Sequence, residues 1–254
     1  GASQTSQANG ALMRLAPLAI FASQADPDVV AKLARQDASL THPHAACQDA
    51  NVLFAMTIAH AIRVGCSAEA TFAFAVQLSH DLNLNEVVQG ALADAEDAPP
   101  ADFQHQMGWL RIALQNAFYQ LLHQPSLEQA LVDTVGGGGD TDTNACIAGA
   151  LLGAVHGRGQ VPMRWQSRVL ACRPLEGLPG VRKARPRWLW PCDAEALAER
   201  LLRAGEQFAS PQQTVREGFG VCLLYTYPSP RDRQKYRMPS SARQKKQHNT
   251  KKVK

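Results

Sequence analysis

An all-α fold is the class this sequence predicts, on three observations. Alanine and leucine dominate, with 45% hydrophobic and 19% charged residues and few aromatics, a composition that favours helices over strands. Apolar residues recur at spacings of three and four in segment after segment. No alternating apolar/polar run is long enough for a useful strand. The 254 residues suffice for one sizeable core, and no internal repeat or linker divides it.

The elements follow in order. Residues 1–10, GASQTSQANG, form a polar, glycine-bearing loop. Residues 11–21 predict a short apolar helix with Pro17 marking a kink or break inside it. Asp26 and Pro27 open a helix carrying Val29, Val30, Leu33 and Ala34, with proline in its first turn. SLTHPH (39–44) is a polar turn, with Pro43 suited to the next helix's first turn and Thr41 or His42 just outside it. A long helix over 45–63 sets Val52, Leu53, Met56, Ile58 and Ala59 against a polar face of Gln48, Asp49 and His60, and Gly65 stops it. Residues 67–78 predict another helix, packed through Phe72, Ala75, Val76 and Leu78, and 84–95 a further short one. Residues 94–106, acidic and polar with Pro99 and Pro100, read as a surface loop.

The clearest core helix is 108–123, where Leu110, Ile112, Ala113, Ala117, Phe118, Leu121 and Leu122 share one side. Ser126 caps the next, with Gln129 answering from the third position, and that helix runs to 135 at a glycine run. Residues 142–155 follow, with Ala145, Gly149 and Gly153 every four residues. Each mid-helix glycine costs about 1 kcal/mol relative to alanine, so close approach of a neighbouring helix is expected along that stripe. Residues 162–170 contain Trp165. Residues 173–192, rich in Arg, Pro and Trp, predict an ordered surface loop. Residues 192–204 form the last helix, with Asp193 as cap and Leu197, Leu201 and Leu202 buried.

The formal net charge of +4 misleads. Residues 221–254 hold ten Lys/Arg and one acidic residue, Asp232, together with three of the four tyrosines. The preceding 220 residues carry a net charge of −5. One reading of the tail is a disordered basic arm for nucleic acid or an acidic surface. The other is foreign sequence that replaced the true C-terminus, which the abrupt change of residue usage after Gly220 favours. The expected plan is a helical domain over 1–209 and a disordered, non-native basic tail over 210–254. Basicity confined to such a tail gives no ground for a nucleic-acid partner.

The chain opens without an initiator Met or a basic-plus-apolar leader, so no signal peptide is visible, and its opening loop suggests that an upstream portion of the domain is missing. Among the six cysteines no two are two or four residues apart, so no zinc knuckle is suggested. Scattered free thiols suit a reducing cytoplasm. No run approaches the ~18 apolar residues of a membrane span. A cytoplasmic monomer without membrane contact is expected.

The chemistry concentrates at GGGGDTDTNA, residues 136–145. If the backbone of Asp140-Thr141-Asp142-Thr143 is extended, the two carboxylates point together and Thr143 turns in as the helix starts. Two carboxylates and a hydroxyl suit a hard cation such as Mg²⁺, and point to metal-assisted hydrolysis. Zinc prefers imidazole or thiolate, absent at this spacing. Cys146, the nearest thiol, is expected to pack. Asp or Thr at this place is also a common helix cap, and no lysine completes a phosphate-binding Walker loop. Spacing leaves metal site and cap open, and a complete site needs ligands this stretch cannot supply.

Four stretches together carry a resemblance. GGGDTDTNACIAGALLGAVHG (137–157) resembles the signature of the ADP-ribosylglycohydrolase family, which includes the bacterial dinitrogenase-reductase-activating glycohydrolases. NGALMRLAP (9–17) resembles its substrate-loop motif, LTHP (40–43) its Thr-His turn, and VPMRW (161–165) the Ile-Pro-x-x-Trp after the signature helix. Order and separation agree over about residues 5–205. The resemblance implies a compact orthogonal multi-helix fold, N-terminally truncated here. It also implies two Mg²⁺ ions between helices and cleavage of an N- or O-glycosidic bond to ADP-ribose. Asp140, Asp142 and Thr143 match metal ligands, the aspartates being catalytic through the metal. Asn9 and Gly10 match the substrate loop, and His42 matches a histidine near the bound nucleotide. The family's early Glu and Thr-Asp-Asp ligands have no match and would lie before Gly1, so half a metal site and a nearly inactive fragment of an active hydrolase are expected.

Other candidates have plainer readings. Arg14 suits either pyrophosphate or a surface salt bridge. His60 and His80 are expected to be solvated on polar helix faces, and His156 to follow the signature helix without a firm role. Trp165 is expected in the core, with Trp188 and Trp190 packing the Arg/Pro loop. The expected partner is an ADP-ribosylated protein or small molecule. A catalytically lapsed ADP-ribose- or nucleotide-binding helical protein is the alternative, and a basic-tailed nucleic-acid binder is a third.

Overall fold

A computed structural model of the chain describes residues 2–209. The basic tail predicted over 210–254 lies outside the described residues, as does Cys222. The described residues form α-helices and short 3₁₀ turns without a strand, so the all-α expectation holds. One isolated antiparallel bridge, Ala8 with Trp109, ties the opening loop to the start of a core helix.

The helices are α1 (Ala16–Phe21), α2 (Pro27–Ser39), α3 (Ala45–Val64), α4 (Ala68–Asp81), α5 (Glu86–Asp97), α6 (Leu110–His123), α7 (Leu127–Gly136), α8 (Thr141–His156), α9 (Met163–Leu170) and α10 (Ala194–Ala209). α3 is the central rod. Twelve of its residues are buried, among them Val52, Leu53, Phe54 and Ile58, and a helix apolar on most sides must be covered on most sides. α2, α4 and α8 pack against it, α6 lies between α5 and α8, and α7 lies along α8.

Side-chain caps explain the starts of four helices. Asp26, Ser67, Asn85 and Ser126 each accept a hydrogen bond from a first-turn N–H of α2, α4, α5 and α7. Gly65 ends α3 at φ +68, a conformation that glycine adopts without strain.

The departures have local causes. Pro17 does not kink a helix. A 3₁₀ turn, Leu12–Arg14, comes first, and the proline sits in the first turn of α1, where its missing N–H costs nothing. Pro43 stays outside the first turn of α3, which is capped by His44, whose Nδ1 accepts from Ala46 N at 3.1 Å. α5 extends through Asp97, so the loop predicted from 94 begins later. At α7 only half the capping box forms: Gln129 donates its amide forward to Asp133 Oδ1 at 2.7 Å. His60 is half-buried rather than fully solvated and lies flat on Phe74, with ring centroids 3.9 Å apart.

Two packing expectations also change. In the small-residue stripe of α8, a Cβ at Gly149 would meet Leu131 of α7 at 3.6 Å, whereas Gly153 faces open space. In α10 Leu197 is exposed and Leu201 and Leu202 are half-buried. The one buried residue is Gly205, pressed against the Phe21 carbonyl so closely that a Cβ would overlap it. α10 therefore attaches to α1 by backbone approach rather than through a leucine face.

Candidate active site

The glycine run places the start of α8. Gly138 and Gly139 have φ of +79° and +66°, and the chain there lies so close to Phe103 and Gln104 that a Cβ at either glycine would collide. α8 then begins at Thr141 with Asp140 as N-cap. The segment is helical from Thr141 rather than extended, so strand alternation does not bring the two carboxylates together: Asp140 precedes the first turn and faces Asn9, and Asp142 lies within that turn.

Asp140 occupies a cap position without capping: its side chain accepts no first-turn N–H. Its Oδ2 instead accepts from Asn9 Nδ2 at 2.8 Å, across 131 residues of sequence. Asp142 is exposed, and its Oδ1 accepts from Thr143 N at 3.0 Å. The Thr143 hydroxyl meets only the Met13 sulfur, at 3.8 Å, a weak partner. Cys146 does not pack. It is exposed and donates to the Met13 carbonyl oxygen at 3.3 Å.

The loop holding Asn9 is fixed at both ends. Asn9 N donates to Gly108 O at 2.9 Å and Leu110 N to Gln7 O at 2.9 Å, and Trp109 Nε1 donates to Gln7 Oε1 at 2.9 Å. Gly10 lies against His42, where a Cβ would sit 2.9 Å from the ring's Cε1. Arg14 reaches the end of α2. Its Nε donates to the Asp37 carboxylate at 3.1 and 3.3 Å, Nη2 to the Asp37 carbonyl at 2.7 Å and Nη1 to Thr41 Oγ1 at 2.8 Å. Thr41 Oγ1 in turn lies 2.8 Å from His42 Nδ1. Asn9, Gly10, Arg14, His42, Asp140 and Thr143 are therefore linked through residues 9–14, while Asp142 makes no hydrogen bond to that loop among the described residues.

Burial dominates the electrostatics beside this loop. It pulls the His42 pKa below its ordinary value, aided by Arg14 and opposed by Asp37. It also raises Asp37, against the charge and hydrogen bonds of Arg14. His42 is thereby biased to the neutral imidazole.

Hard oxygen donors are present in kind: two carboxylates and a hydroxyl at the start of one helix, with Asp140 Oδ1 and Asp142 Oδ2 accepting no hydrogen bond from the described residues. They fall short in number, and the described residues contain no group of three or more His, Cys, Asp and Glu able to hold a metal. Their chemistry suits Mg²⁺, but an ion with six oxygen positions would need water, substrate oxygens or further residues to complete them.

Sequence reasoning missed Asp37, the anchor of Arg14. A polar residue in a last helical turn carries no signal of a partner 23 residues away. It also missed Asn144, wholly buried one turn below Asp140 with both amide atoms unpartnered. His156 ends α8 at the other end from Asp140, about 24 Å along a 16-residue helix, outside this cluster. Beside the glycine run, Gln7, Gln104, Gln106 and Trp109 line an open cleft of about 730 Å³.

The fold is that of an all-helical protein. Residues 1–210 match the sequence profile of ADP-ribosylglycohydrolase, and the chain belongs to that family. It is 25% identical over 201 residues to a protein of Acanthamoeba polyphaga mimivirus provisionally named an ADP-ribosyl glycohydrolase, covering 73% of this chain and 60% of that protein. It is 28% identical over 198 residues to the ADP-ribosylhydrolase ARH3 of Gallus gallus, covering 63% of this chain and 53% of the relative. A solved structure titled as an ADP-ribosylglycohydrolase-related protein complex superposes with a TM-score of 0.64 at 27% identity, over 80% of this chain and 62% of that one. The chain thus spans between about half and three fifths of the length of these relatives.

Proposed function

We propose that the protein hydrolyses the glycosidic bond of ADP-ribosylated protein side chains or small molecules with the help of Mg²⁺. Asp140, Asp142 and Thr143 form one wall of a two-metal site, and Asn9, Gly10, Arg14 and His42 form the substrate side. The observation that carries this reading is the carboxylate at the mouth of α8 that does not cap. An N-cap aspartate turned away from its own helix and held by Asn9 is free to accept a cation, and its orientation is set by the loop that would meet substrate.

Bound there, Mg²⁺ would supply positive charge to polarise a ribose hydroxyl and to orient water. The chain's own residues do the rest. The Asn9 amide fixes Asp140 at the cation side, as an outer-shell partner does. Gly10 lets His42 close against the loop, and neutral His42 can accept from or donate to a ribose or phosphate oxygen. Arg14 holds Thr41 and through it His42, and keeps two of its five N–H donors for an anion.

The test is release of ADP-ribose from an ADP-ribosylated peptide, followed by chromatography with and without Mg²⁺. With half of the metal site expected, turnover by this chain is slow; what turnover there is should depend on Mg²⁺ and be lost in Asp140→Asn/Asp142→Asn. An unchanged rate in that variant would overturn the assignment.

One observation favours a second reading, a protein that binds ADP-ribose without turnover: the described residues offer three metal oxygens and no further acidic cluster. ADP-ribose binding by calorimetry, in protein that releases no product from any ADP-ribosylated peptide, would establish it.

A further inference from the structure

Charge is unevenly divided within the described helical domain. Residues 1–157 hold fifteen acidic and five basic residues, whereas 158–192 hold eight basic and one acidic. Two of the eight are neutralised, Arg158 by Glu195 and Arg164 by Glu128, and Arg173 lies over the Trp190 ring at 5.8 Å. Arg168, Arg182, Lys183, Arg185 and Arg187 are exposed and pair with no acidic side chain among the described residues. Trp188, beside the last of them, is 74% exposed. The expectation that it packs its own loop fails, and its ring has no partner among the described residues.

This segment is held in shape. Arg185 N donates to Pro174 O at 2.9 Å, Trp190 Nε1 to Arg185 O at 2.8 Å, and Arg173 Nη1 to the carbonyls of Leu170 and Cys172. Trp190 thus fastens the loop from below while Trp188 and four cations within six residues stand outside it. The segment leaves α8 at the end remote from Asp140, and the Arg164–Glu128 pair ties α9 to the first turn of α7. It is therefore a surface separate from the cluster around Asn9 and Asp140.

We propose that the Arg182–Trp188 loop is a docking surface for single-stranded nucleic acid. Unpaired guanidinium and ammonium groups bind a phosphate backbone by releasing its counterions. An exposed indole among them gives an unstacked base a platform. A duplex hides its base faces and an acidic peptide has none, so neither would use Trp188. A nucleic-acid partner, not expected from the sequence, would sit on this loop rather than on the tail.

The full chain is titrated with oligothymidylate, following tryptophan emission. Residues 221–254 contain no tryptophan, so binding confined to the tail leaves no ring to quench. Quenching is expected in the unaltered chain; affinity, read separately from the anisotropy of labelled oligothymidylate, should fall roughly 5- to 160-fold in Trp188→Ala. Trp188→Phe, which keeps an aromatic face, should bind with less loss by the same anisotropy. Arg182→Glu/Lys183→Glu/Arg185→Glu/Arg187→Glu should lower the slope of log affinity against log salt by about 3, with unchanged far-ultraviolet circular dichroism. The proposal is overturned if oligothymidylate leaves the emission unaltered, if the charge-reversed protein keeps its affinity, or if poly-glutamate competes as well as the oligonucleotide.

Discussion

At Asp140 the question is whether a residue in a cap position acts as a cap. Replacing a working cap costs about 1 kcal/mol. Asp140 makes no cap bond, so Asp140→Asn should leave the melting temperature in metal-free buffer unchanged while abolishing Mg²⁺ binding in titration calorimetry. A melting point lowered as by cap loss, with binding intact, would return Asp140 to the structural reading. Asn9→Ala removes the one hydrogen bond that orients this carboxylate, and a 10- to 100-fold loss of metal affinity or turnover is expected, roughly what outer-shell partners contribute. His42 supplies a pH signature. Its folded pKa lies below 6.5, chiefly through burial, so between the two values the unfolded chain binds more protons. Stability must then rise with pH through the window just below 6.5 and level off above it. His60, lowered by burial and Arg63, adds in the same sense. Denaturant melts across this window should show the slope, and His42→Gln should reduce it without removing the share of His60.

At the scale of elements, glycines separate close approach from idle space. Gly205 of α10 touches the Phe21 carbonyl, and Gly153 of α8 faces nothing within 4 Å. Gly205→Ala should therefore destabilise by about 1–3 kcal/mol as α10 is pushed from α1, whereas Gly153→Ala should stabilise by about 1 kcal/mol through helix propensity. Urea unfolding of both variants checks the pair of signs, and equal effects would contradict the packing described. The stripe in α8 shows why this was hidden in the sequence. A four-residue repeat of small residues states that a helix can be approached, not that anything approaches it. In α10 the apolar spacing of Leu197, Leu201 and Leu202 was plain, but whether a surface exists to cover those leucines depends on α1, more than 170 residues earlier.

For the whole molecule, metal binding and folding are linked. If Mg²⁺ binds the folded chain alone, a concentration 100 times its dissociation constant adds about 2.7 kcal/mol, a rise in melting temperature of roughly 5–11 °C for a domain of this size. Scanning calorimetry with Mg²⁺ and with EDTA measures it, and coincident melts would count against the metal assignment. The helices and their order were legible in the sequence, as were the caps Asp26 and Ser126 and the stop at Gly65, because periodicity, capping side chains and glycine stops act within a few residues. The family resemblance reached further and picked out Asn9, Gly10, Arg14, His42 and the Asp-Thr-Asp-Thr stretch. Only tertiary structure decided that Asn9 turns Asp140 away from its own helix, that Arg14 is anchored by Asp37, and that Trp188 stands bare among cations. Each depends on groups far apart in the chain, and no local rule of spacing fixes which of two distant side chains a hydrogen bond or a covering surface will reach.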